Sequence, residues 1–151
     1  MARASPVVAV FARNGGENPY AIHADLEDCM QKLAGIIRTE PELLQALDQI
    51  GRYKSRLKGV GVAGNRLYNP AWHLARDLHN MLDIAEVVTR SAIERKESRG
   101  GHAREDYPNT DRHFAQVNVV TRRGSNGELQ IAQEPLLEMP EELKGIVEGK
   151  A

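Results

Sequence analysis

The longest helical pattern in the chain lies in NPAWHLARDLHNMLDIAEVVTRSAIERKE, residues 69–97. Asn69 can cap a helix through its side-chain oxygen, and Pro70 suits the first helical position because no N–H is needed there. Apolar residues then recur at intervals of three and four, as on one face of an α-helix: Leu74, Leu78, Met81, Leu82, Ala85, Val88 and Ala92. The pattern predicts a helix over residues 70–98, ended by Gly100 and Gly101.

Two shorter helices are predicted before this one. Residues 18–37 repeat the Asn-Pro start and carry an apolar stripe: Ile22, Leu26, Cys29, Leu33 and Ile36 or Ile37. Residues 40–58 follow Thr39, which forms a capping box with Glu42, and carry a second stripe: Leu43, Leu47, Ile50 and Leu57. The connections are short, so neighbouring helices should pack antiparallel. The sequence therefore predicts a mainly α fold, an antiparallel three-helix bundle similar to a spectrin repeat.

The pattern changes to strands beyond Pro108. Residues 116–121 and 128–133 look like two strands, and Asn126-Gly127 between them is a turn signal typical of a β-hairpin. A hairpin alone is marginally stable, so it should pack on the helices. We therefore expect one domain in three parts: an extended lead-in over 1–17, the bundle over 18–100, and a basic loop, small β-hairpin and tail over 101–151.

The composition disfavours several classes of protein. Lys and Arg number 20 and Asp and Glu number 21, for a net charge of −1, whereas nucleic-acid-binding modules usually show a basic excess. The single cysteine, Cys29, can form no internal disulfide, and its place on an apolar helix face suits a buried thiol in a reducing cytoplasm. No apolar run approaches the roughly 20 residues of a membrane-spanning helix, so we expect no direct membrane insertion.

A glycine pattern resembles a nucleotide-binding motif but lies in the wrong context. Gly59, Gly61 and Gly64 satisfy G-x-G-x-x-G, yet a dinucleotide fingerprint follows a strand, and this pattern follows a charged helix. A flexible helix connection is the better interpretation, so no cofactor-binding residue is predicted. The histidines lack the spacing of a zinc site, so no metal site is predicted, and without a G-x-S-x-G elbow serine hydrolase chemistry has no support.

The most informative stretch is ERKESRGGHAREDYP, residues 94–108. Two glycines interrupt the helical pattern, and around them stand Arg99, His102 and Arg104, with Asp106 behind. Cations that converge on an irregular loop could hold a carboxylate or a phosphate. A solvated or self-paired run of charges explains the same residues more simply, and physical chemistry alone favours that interpretation.

The same stretch resembles a known family. Residues 95–108 are similar to the R-x-E-S-R-G-x-H-x-R-x-D-[FY]-P signature in the C-terminal domain of succinate dehydrogenase and fumarate reductase flavoproteins. GENPY (16–20) and GNRLYNPAWHL (64–74) resemble one bacterial branch, of the kind expected to use menaquinone. The resemblance covers about residues 15–148. One departure is NTDRHFAQVN (109–118), where many members have D-x-x-W-x-K-H, so a role of that Lys-His pair has no counterpart here.

The resemblance implies a role for the chain. In this family a large N-terminal domain binds FAD covalently through a histidine, a capping domain closes over the dicarboxylate, and the catalytic residues lie in those two domains. The chain would then be a non-catalytic helical domain without a cofactor of its own. It would pack on the FAD and capping domains, with the iron–sulfur subunit as a further candidate partner. The parent complex would lie on the cytoplasmic face of the bacterial inner membrane.

Two other functions stay open on the sequence alone. One is a free-standing three-helix interaction module that begins at Met1, and the other is the corresponding domain of an aspartate oxidase. If the chain is instead part of a succinate dehydrogenase or fumarate reductase, Arg99, His102, Arg104 and Asp106 are candidates for contacts between domains. We then expect this loop to be partly unsatisfied in the isolated chain, so that Arg104→Ala barely changes its thermal stability.

Overall fold

The computed structural model describes residues 9–13 and 15–147 of the chain. Three long helices form its main body: α1 over Pro19–Leu33, α2 over Glu40–Leu57 and α3 over Pro70–Glu94. The two-residue strand β1 (Ile37–Arg38) precedes α2, and its partner β2 (Ala103–Arg104) follows α3. The strands β3 (Val117–Arg123) and β4 (Leu129–Pro135) come next, followed by the short helix α4 (Glu141–Val147).

Each long helix begins where the sequence provides a cap. Asn18 and Asn69 each accept a hydrogen bond from a backbone amide two or three residues further on. Before α2, the carboxylate of Glu42 accepts hydrogen bonds from both the amide and the hydroxyl of Thr39. These bonds satisfy donors that have no partner inside the helix, and a proline follows each cap within two positions.

Contacts between the helices show an up-down-up bundle. Arg56, near the end of α2, donates a hydrogen bond at 2.7 Å to Glu17, which lies just before the start of α1, so these two helices are antiparallel. The Thr89 hydroxyl of α3 lies 4.0 Å from the Met30 sulfur of α1, with both residues near the ends of their helices, so α1 and α3 run parallel. The predicted mainly α fold is confirmed.

The core lies between the three helices and includes the connection from α2 to α3. Its best-buried side chains are at most 1% exposed: Ile22, Leu43, Ala46, Ile50, Val60, Leu78 and Leu82. Full burial of a large aliphatic side chain stabilises a fold by about 1.5–3 kcal/mol. On α2, Ala46 is fully buried, whereas Leu47, which was predicted to face the core, is only half-buried. A small residue at the buried position lets the helices approach closely.

Helix α1 is shorter than the predicted 18–37. It ends at Leu33, so Ile36 and Ile37 are 71% and 62% exposed and do not extend the buried stripe. The chain turns at Gly35, whose carbonyl accepts a hydrogen bond from Nε of Arg38. Ile37 and Arg38 pair in parallel with β2, and helical periodicity carries no signal of such a long-range ladder.

Helix α3 ends at Glu94 rather than at residue 98. Arg95 leaves the helical conformation, with φ −83° and ψ 93°. The side chain of Glu97 then turns inward and is fully buried. The prediction from the sequence places Arg95 and Glu97 in the exposed last turn of the helix. In the structure these two residues form an ion pair in the following loop, and the backbone leaves the helix axis.

The connection over residues 59–64 is packed, so the expectation of a flexible linker is wrong. Val60 and Val62 are 0% and 5% exposed. The backbone at Gly61 lies so close to Gly16 that an added Cβ would stand 2.9 Å from the Gly16 Cα and closer still to the Arg13 carbonyl. These two glycines permit a close approach of two backbones, which a larger residue would block.

The predicted lead-in over 1–17 lies partly outside the described residues, which omit 1–8 and 14. Val10–Ala12 form a short 3-10 turn rather than extended chain. The amide of Val62 donates to the Val10 carbonyl at 3.1 Å, and Glu17 pairs in parallel with Val60. The segment is thus tied to the buried connection between α2 and α3.

The predicted β-hairpin is confirmed, with each strand about two residues longer at its end. β3 and β4 pair antiparallel, with Thr121 opposite Ile131, and Gly127 provides the positive φ of 83° in the turn. The hairpin leans on α3 through polar contacts. A guanidinium nitrogen of Arg123 lies 2.6 Å from Asp83, and the amide of Gln133 donates to Glu94 at 2.7 Å.

Candidate functional site

The four predicted residues, Arg99, His102, Arg104 and Asp106, lie in one loop between α3 and β3, which we call the signature loop (residues 95–108). Its first turn is closed by two hydrogen bonds between the backbones of Arg99 and His102, at 2.8 and 3.1 Å. Gly100 stands in this turn at φ +59°, a conformation that glycine adopts without strain. The loop then runs beside β1 and brings Arg104 and Asp106 to the start of α2.

Arg104 is buried, at 1% exposure, and its guanidinium is fully engaged within the chain. Two of its nitrogens donate to the two carboxylate oxygens of Asp106, both at 2.7 Å. A third donates to the carbonyl of Ala92 near the end of α3, also at 2.7 Å. The carboxylate of Glu40 stands 3.5 Å away, and the ring of Tyr107 lies beneath the guanidinium carbon. The forked geometry of arginine fits this arrangement, whereas a lysine ammonium could not form it.

Asp106 links the signature loop to α2. Its carboxylate also accepts a hydrogen bond from the Glu40 amide, at 2.8 Å. This amide lies in the first turn of α2, where backbone donors lack helical partners. The hydrogen bonds from Arg104 and from this amide outweigh the effect of burial and lower the pKa of Asp106 to about 2. Arg104 and Asp106 therefore fasten the end of α3 to the start of α2.

Glu97 forms the second ionic centre of the signature loop and was not among the predicted site residues. Its side chain is fully buried and accepts hydrogen bonds from Arg95 at 2.8 Å, from Arg99 at 3.0 Å and from the Asp111 amide at 2.8 Å. Burial alone would raise the pKa of Glu97, but these hydrogen bonds hold it at about 2. The alternation Arg95, Glu97, Arg99 was the signal in the sequence, because a carboxylate between two arginines can bind both.

His102 is half-buried between two arginines. Its Nδ1 lies 3.0 Å from a guanidinium nitrogen of Arg38, and its Nε2 lies 2.9 Å from the Arg95 carbonyl. A guanidinium only donates and a carbonyl only accepts, so this geometry requires a neutral imidazole with its proton on Nε2. Burial and the positive charges of Arg38 and Arg104 lower the pKa of His102. The residue is therefore a neutral connector between β1 and the end of α3.

The signature loop is satisfied within the chain, so the expectation of a partly unsatisfied loop is wrong. Among residues 9–13 and 15–147, every buried side-chain nitrogen and oxygen has a hydrogen-bond partner. The arginines find acids from the same loop, Glu97 and Asp106, and Arg104 also approaches Glu40 of α2. The self-paired interpretation, which physical chemistry alone favoured, describes the loop better.

Acid should destabilise the chain by protonating Glu97 and Asp106. Their folded pKa values of about 2 lie below the values near 4 of an unfolded chain. A carboxyl group with a depressed folded pKa stabilises the fold above its unfolded pKa, and this stabilisation is lost as the pH falls toward its folded pKa. We expect the free energy of unfolding, measured by urea titration, to fall steeply between about pH 4.5 and 2.

The variant Glu97→Gln tests the contribution of the buried carboxylate to this acid sensitivity. It should be less stable than the wild-type chain at pH 7 and should lose less stability over the same acid range, because one depressed carboxyl group is missing. Equal pH slopes for the two proteins would show that the pKa of Glu97 is not lowered in the folded chain.

The rest of the described surface offers a second charged area but no metal centre. A groove between α2, α3 and the hairpin contains Lys54, Asp83, Glu86 and Arg123, whose charges pair with one another at 2.6 Å. Within the described part of the chain, no three His, Cys, Asp or Glu side chains are grouped to hold a metal ion. The ion pair between Arg123 and Asp83 therefore holds the hairpin against the bundle, and Lys54 joins α2 to α3 in the same groove.

The described residues thus form a three-helix bundle with a self-paired loop at one end and a β-hairpin at its side. The family model described as fumarate reductase flavoprotein C-term matches residues 23–144. The chain belongs to this family, as the signature loop suggested.

Curated relatives agree with this assignment. The fumarate reductase flavoprotein subunit of Mycobacterium tuberculosis (strain H37Rv) is 32% identical over 123 residues, which cover 81% of this chain and 21% of that protein. The succinate dehydrogenase flavoprotein subunit of Bacillus subtilis (strain 168) is 32% identical over 100 residues, 66% of this chain and 17% of that protein. The chain thus spans about a fifth of the length of these relatives.

Solved structures share the fold. The structure of Mycobacterium smegmatis Sdh1 in complex with UQ1 superposes with a TM-score of 0.87 and 39% identity, and the match covers 95% of this chain and 25% of that chain. A quinol–fumarate reductase with menaquinol molecules superposes with a TM-score of 0.78 at 24% identity, which supports the fold alone.

Proposed function

We propose that this chain works as the non-catalytic C-terminal helical domain of an FAD-dependent flavoprotein that interconverts succinate and fumarate. The observation that carries the proposal is the family match over residues 23–144, together with the superposition on 95% of the chain at 39% identity. FAD would be bound by the preceding part of the same polypeptide. The helical domain would supply a rigid body against which the FAD and capping domains pack.

The internal pairing of the signature loop supports a structural role. Arg104 and Glu97 are the most deeply buried charges of the loop, and their partners lie in the chain itself. Such groups hold a fold together and are not placed to bind a substrate. The interpretation of residues 59–64 as a phosphate-binding loop is also weakened, because Val60 and Val62 of this connection are buried in the core.

We also propose that the exposed edge of the signature loop contacts the FAD and capping domains. The side chain of Arg99 is 41% exposed and that of Asp106 is 28% exposed, so both can reach a neighbouring surface. Arg104 and His102 would act indirectly by holding the loop in shape. A charged pair at such an edge becomes worth more when a partner domain excludes water from it.

Further partners follow from the same proposal. The iron–sulfur subunit is a candidate neighbour of the flavoprotein, and the complex would lie on the cytoplasmic face of the bacterial inner membrane. Among the described residues, no helix has both the length and the apolar character needed to cross a bilayer.

The proposal predicts that the native protein carrying this chain contains flavin. We expect a polypeptide several times longer than 151 residues that holds about one FAD and oxidises succinate, whereas the isolated chain shows no saturable quenching of FAD fluorescence. The measurement is purification through a C-terminal tag on the genomic copy, followed by mass spectrometry, flavin absorbance and a succinate–acceptor assay.

The alternatives give different results in the same experiment. A flavin-free protein of 151 residues would support a free-standing interaction module. A flavoprotein that oxidises aspartate but not succinate would support the aspartate oxidase alternative. Saturable micromolar FAD binding by the isolated chain would show that the chain has a cofactor site of its own.

A further inference from the structure

The end of the bundle where α1 and α3 begin exposes several large side chains. Leu67 and Tyr68 are 72% and 98% exposed, and Tyr20 is 49% exposed. Tyr20 and Tyr68 both line one shallow groove, together with His23, Pro70 and His73. Single exposed apolar residues are common on proteins, but a cluster of them around a groove is typical of an interaction surface. We call this area the Tyr68 surface.

The loop that carries Tyr68 is held in place. The side-chain amide of Asn69 donates to the carbonyls of Ala63 and Asn65, at 3.0 and 2.9 Å, while its oxygen caps α3. The Leu67 amide donates to the side chain of Asn65 at 2.9 Å. These bonds fix the loop that contains Leu67 and Tyr68 in one conformation.

Tyr68 adopts an uncommon backbone conformation in this loop. Its φ of +52° lies in the left-handed region, which costs a residue with a side chain on the order of 1 kcal/mol or more. The surrounding hydrogen bonds maintain this conformation although the ring gains no burial from it. A tyrosine ring presented rigidly beside groups that can form hydrogen bonds resembles the anchor residues that dominate binding at interfaces.

The N-terminal segment of the chain joins the domain at the same end. The Val10 carbonyl accepts a hydrogen bond from Val62, and Arg13 donates to the Val60 carbonyl at 3.0 Å. The guanidinium of Arg66 stands over the Phe11 ring, 5.8 Å from its centre. The segment over residues 9–13 is therefore bound to the connection that continues into the Tyr68 loop.

The size of the relatives indicates what lies beyond this junction. The matched region is 25% of the M. smegmatis Sdh1 chain, and the family description places it at the C-terminal end. In a polypeptide of that kind, the preceding three quarters are joined to the domain on the N-terminal side of Val10, and Val10 is hydrogen-bonded to the connection that continues into the Tyr68 loop. A neighbour that is covalently attached at this point has a high effective concentration there, which favours it over a separate protein.

We propose that the Tyr68 surface is the docking site for the flavin-binding part of the same polypeptide. The partner surface is apolar where it meets Leu67 and the Tyr68 ring, and it carries hydrogen-bond acceptors for the tyrosine hydroxyls. This inference rests on the proposed function and adds the place at which the two parts meet.

The test is a photo-crosslink from Tyr68 in the complete flavoprotein complex. Tyr68→p-benzoylphenylalanine is introduced, the purified complex is irradiated, and the crosslinked peptides are identified by mass spectrometry. The ring is 98% exposed, so the substitution should not disturb folding. We expect crosslinks to residues of the same polypeptide that precede this chain. Ile84→p-benzoylphenylalanine, at a 63% exposed position in the middle of α3 and outside both the Tyr68 surface and the signature loop, is the control and should not reach those peptides.

The other outcomes separate the inference from the function on which it rests. A flavin-containing preparation in which Tyr68 crosslinks to the iron–sulfur subunit or to a second copy, or in which no crosslink forms, overturns the docking site and leaves the proposed function intact. A preparation without flavin, in which no polypeptide precedes the chain, overturns both.

Discussion

Replacing Arg104 by alanine should lower the free energy of unfolding of the isolated chain by about 3–5 kcal/mol, the usual cost of removing one partner of a buried ion pair. The substitution removes the two hydrogen bonds to Asp106 and the one to the Ala92 carbonyl, each at 2.7 Å. It also opens a cavity at a position that is 1% exposed. Domains of this size are usually stable by about 5–15 kcal/mol, so the loss is a large fraction of the total. Urea unfolding followed by circular dichroism measures it.

Two further variants serve as comparisons for Arg104→Ala. Arg104→Lys keeps the charge but lacks the planar fork, so it should recover only part of the lost stability. Arg99→Ala should cost clearly less than Arg104→Ala, because Glu97 keeps its hydrogen bonds from Arg95 and from the Asp111 amide. A loss below about 1 kcal/mol for Arg104→Ala would mean that its pairs contribute little, as for exposed ion pairs, and would restore the initial expectation from the sequence.

Arg99→Ala also tests the proposed contact between domains. Its side chain is 41% exposed in the isolated chain, so a partner domain that covers it should increase the cost of its removal. We expect a larger drop in thermal stability and earlier flavin release in the complete flavoprotein than the isolated chain would suggest. Equal losses in the two proteins would exclude an inter-domain role for Arg99.

The helical framework could be predicted because its signals are local. Asn18, Thr39 and Asn69 each mark a helix start, and the structure places a helix after every one of them. The ends were less predictable. Periodicity alone would continue α1 to residue 37, whereas a parallel ladder with a distant part of the chain removes Ile37 from the helix. Contacts between residues far apart in the sequence leave no periodic trace.

The signature loop could be located in the sequence, but its chemistry could not be read there. Its residues were recognised as a group, and the structure brings Arg104 and Asp106 together while placing Arg99 on Glu97. The burial of Arg104 was not foreseen, because a fully buried arginine is rare and depends on acids that reach it from other elements. Glu40, which begins α2, is such an acid, and only the folded topology brings it near.

Gly61→Val should be the most damaging change in the glycine-rich connection. An added Cβ at this position would stand 2.9 Å from the Gly16 Cα and 3.0 Å from the Gly16 nitrogen, with the Arg13 carbonyl closer still. These neighbours are backbone atoms, which cannot rotate away as a flexible side chain could. The two segments would have to separate, breaking the hydrogen bond from the Gly61 amide to the Glu17 carbonyl at 3.2 Å. We expect a loss of about 3 kcal/mol or more, the upper end of the range for overpacking.

Gly59→Ala is the matched control, because it changes the first glycine of the same pattern. An added Cβ there would meet only the Arg56 carbonyl, at 3.4 Å, and the expected change is within about 1 kcal/mol in either direction. Urea unfolding of both variants compares the two positions directly. If Gly61→Val were as harmless as Gly59→Ala, residues 59–64 would be the flexible linker that the sequence first suggested. A large difference would show that Gly61 is required because two backbones meet there, independently of any phosphate or nucleotide.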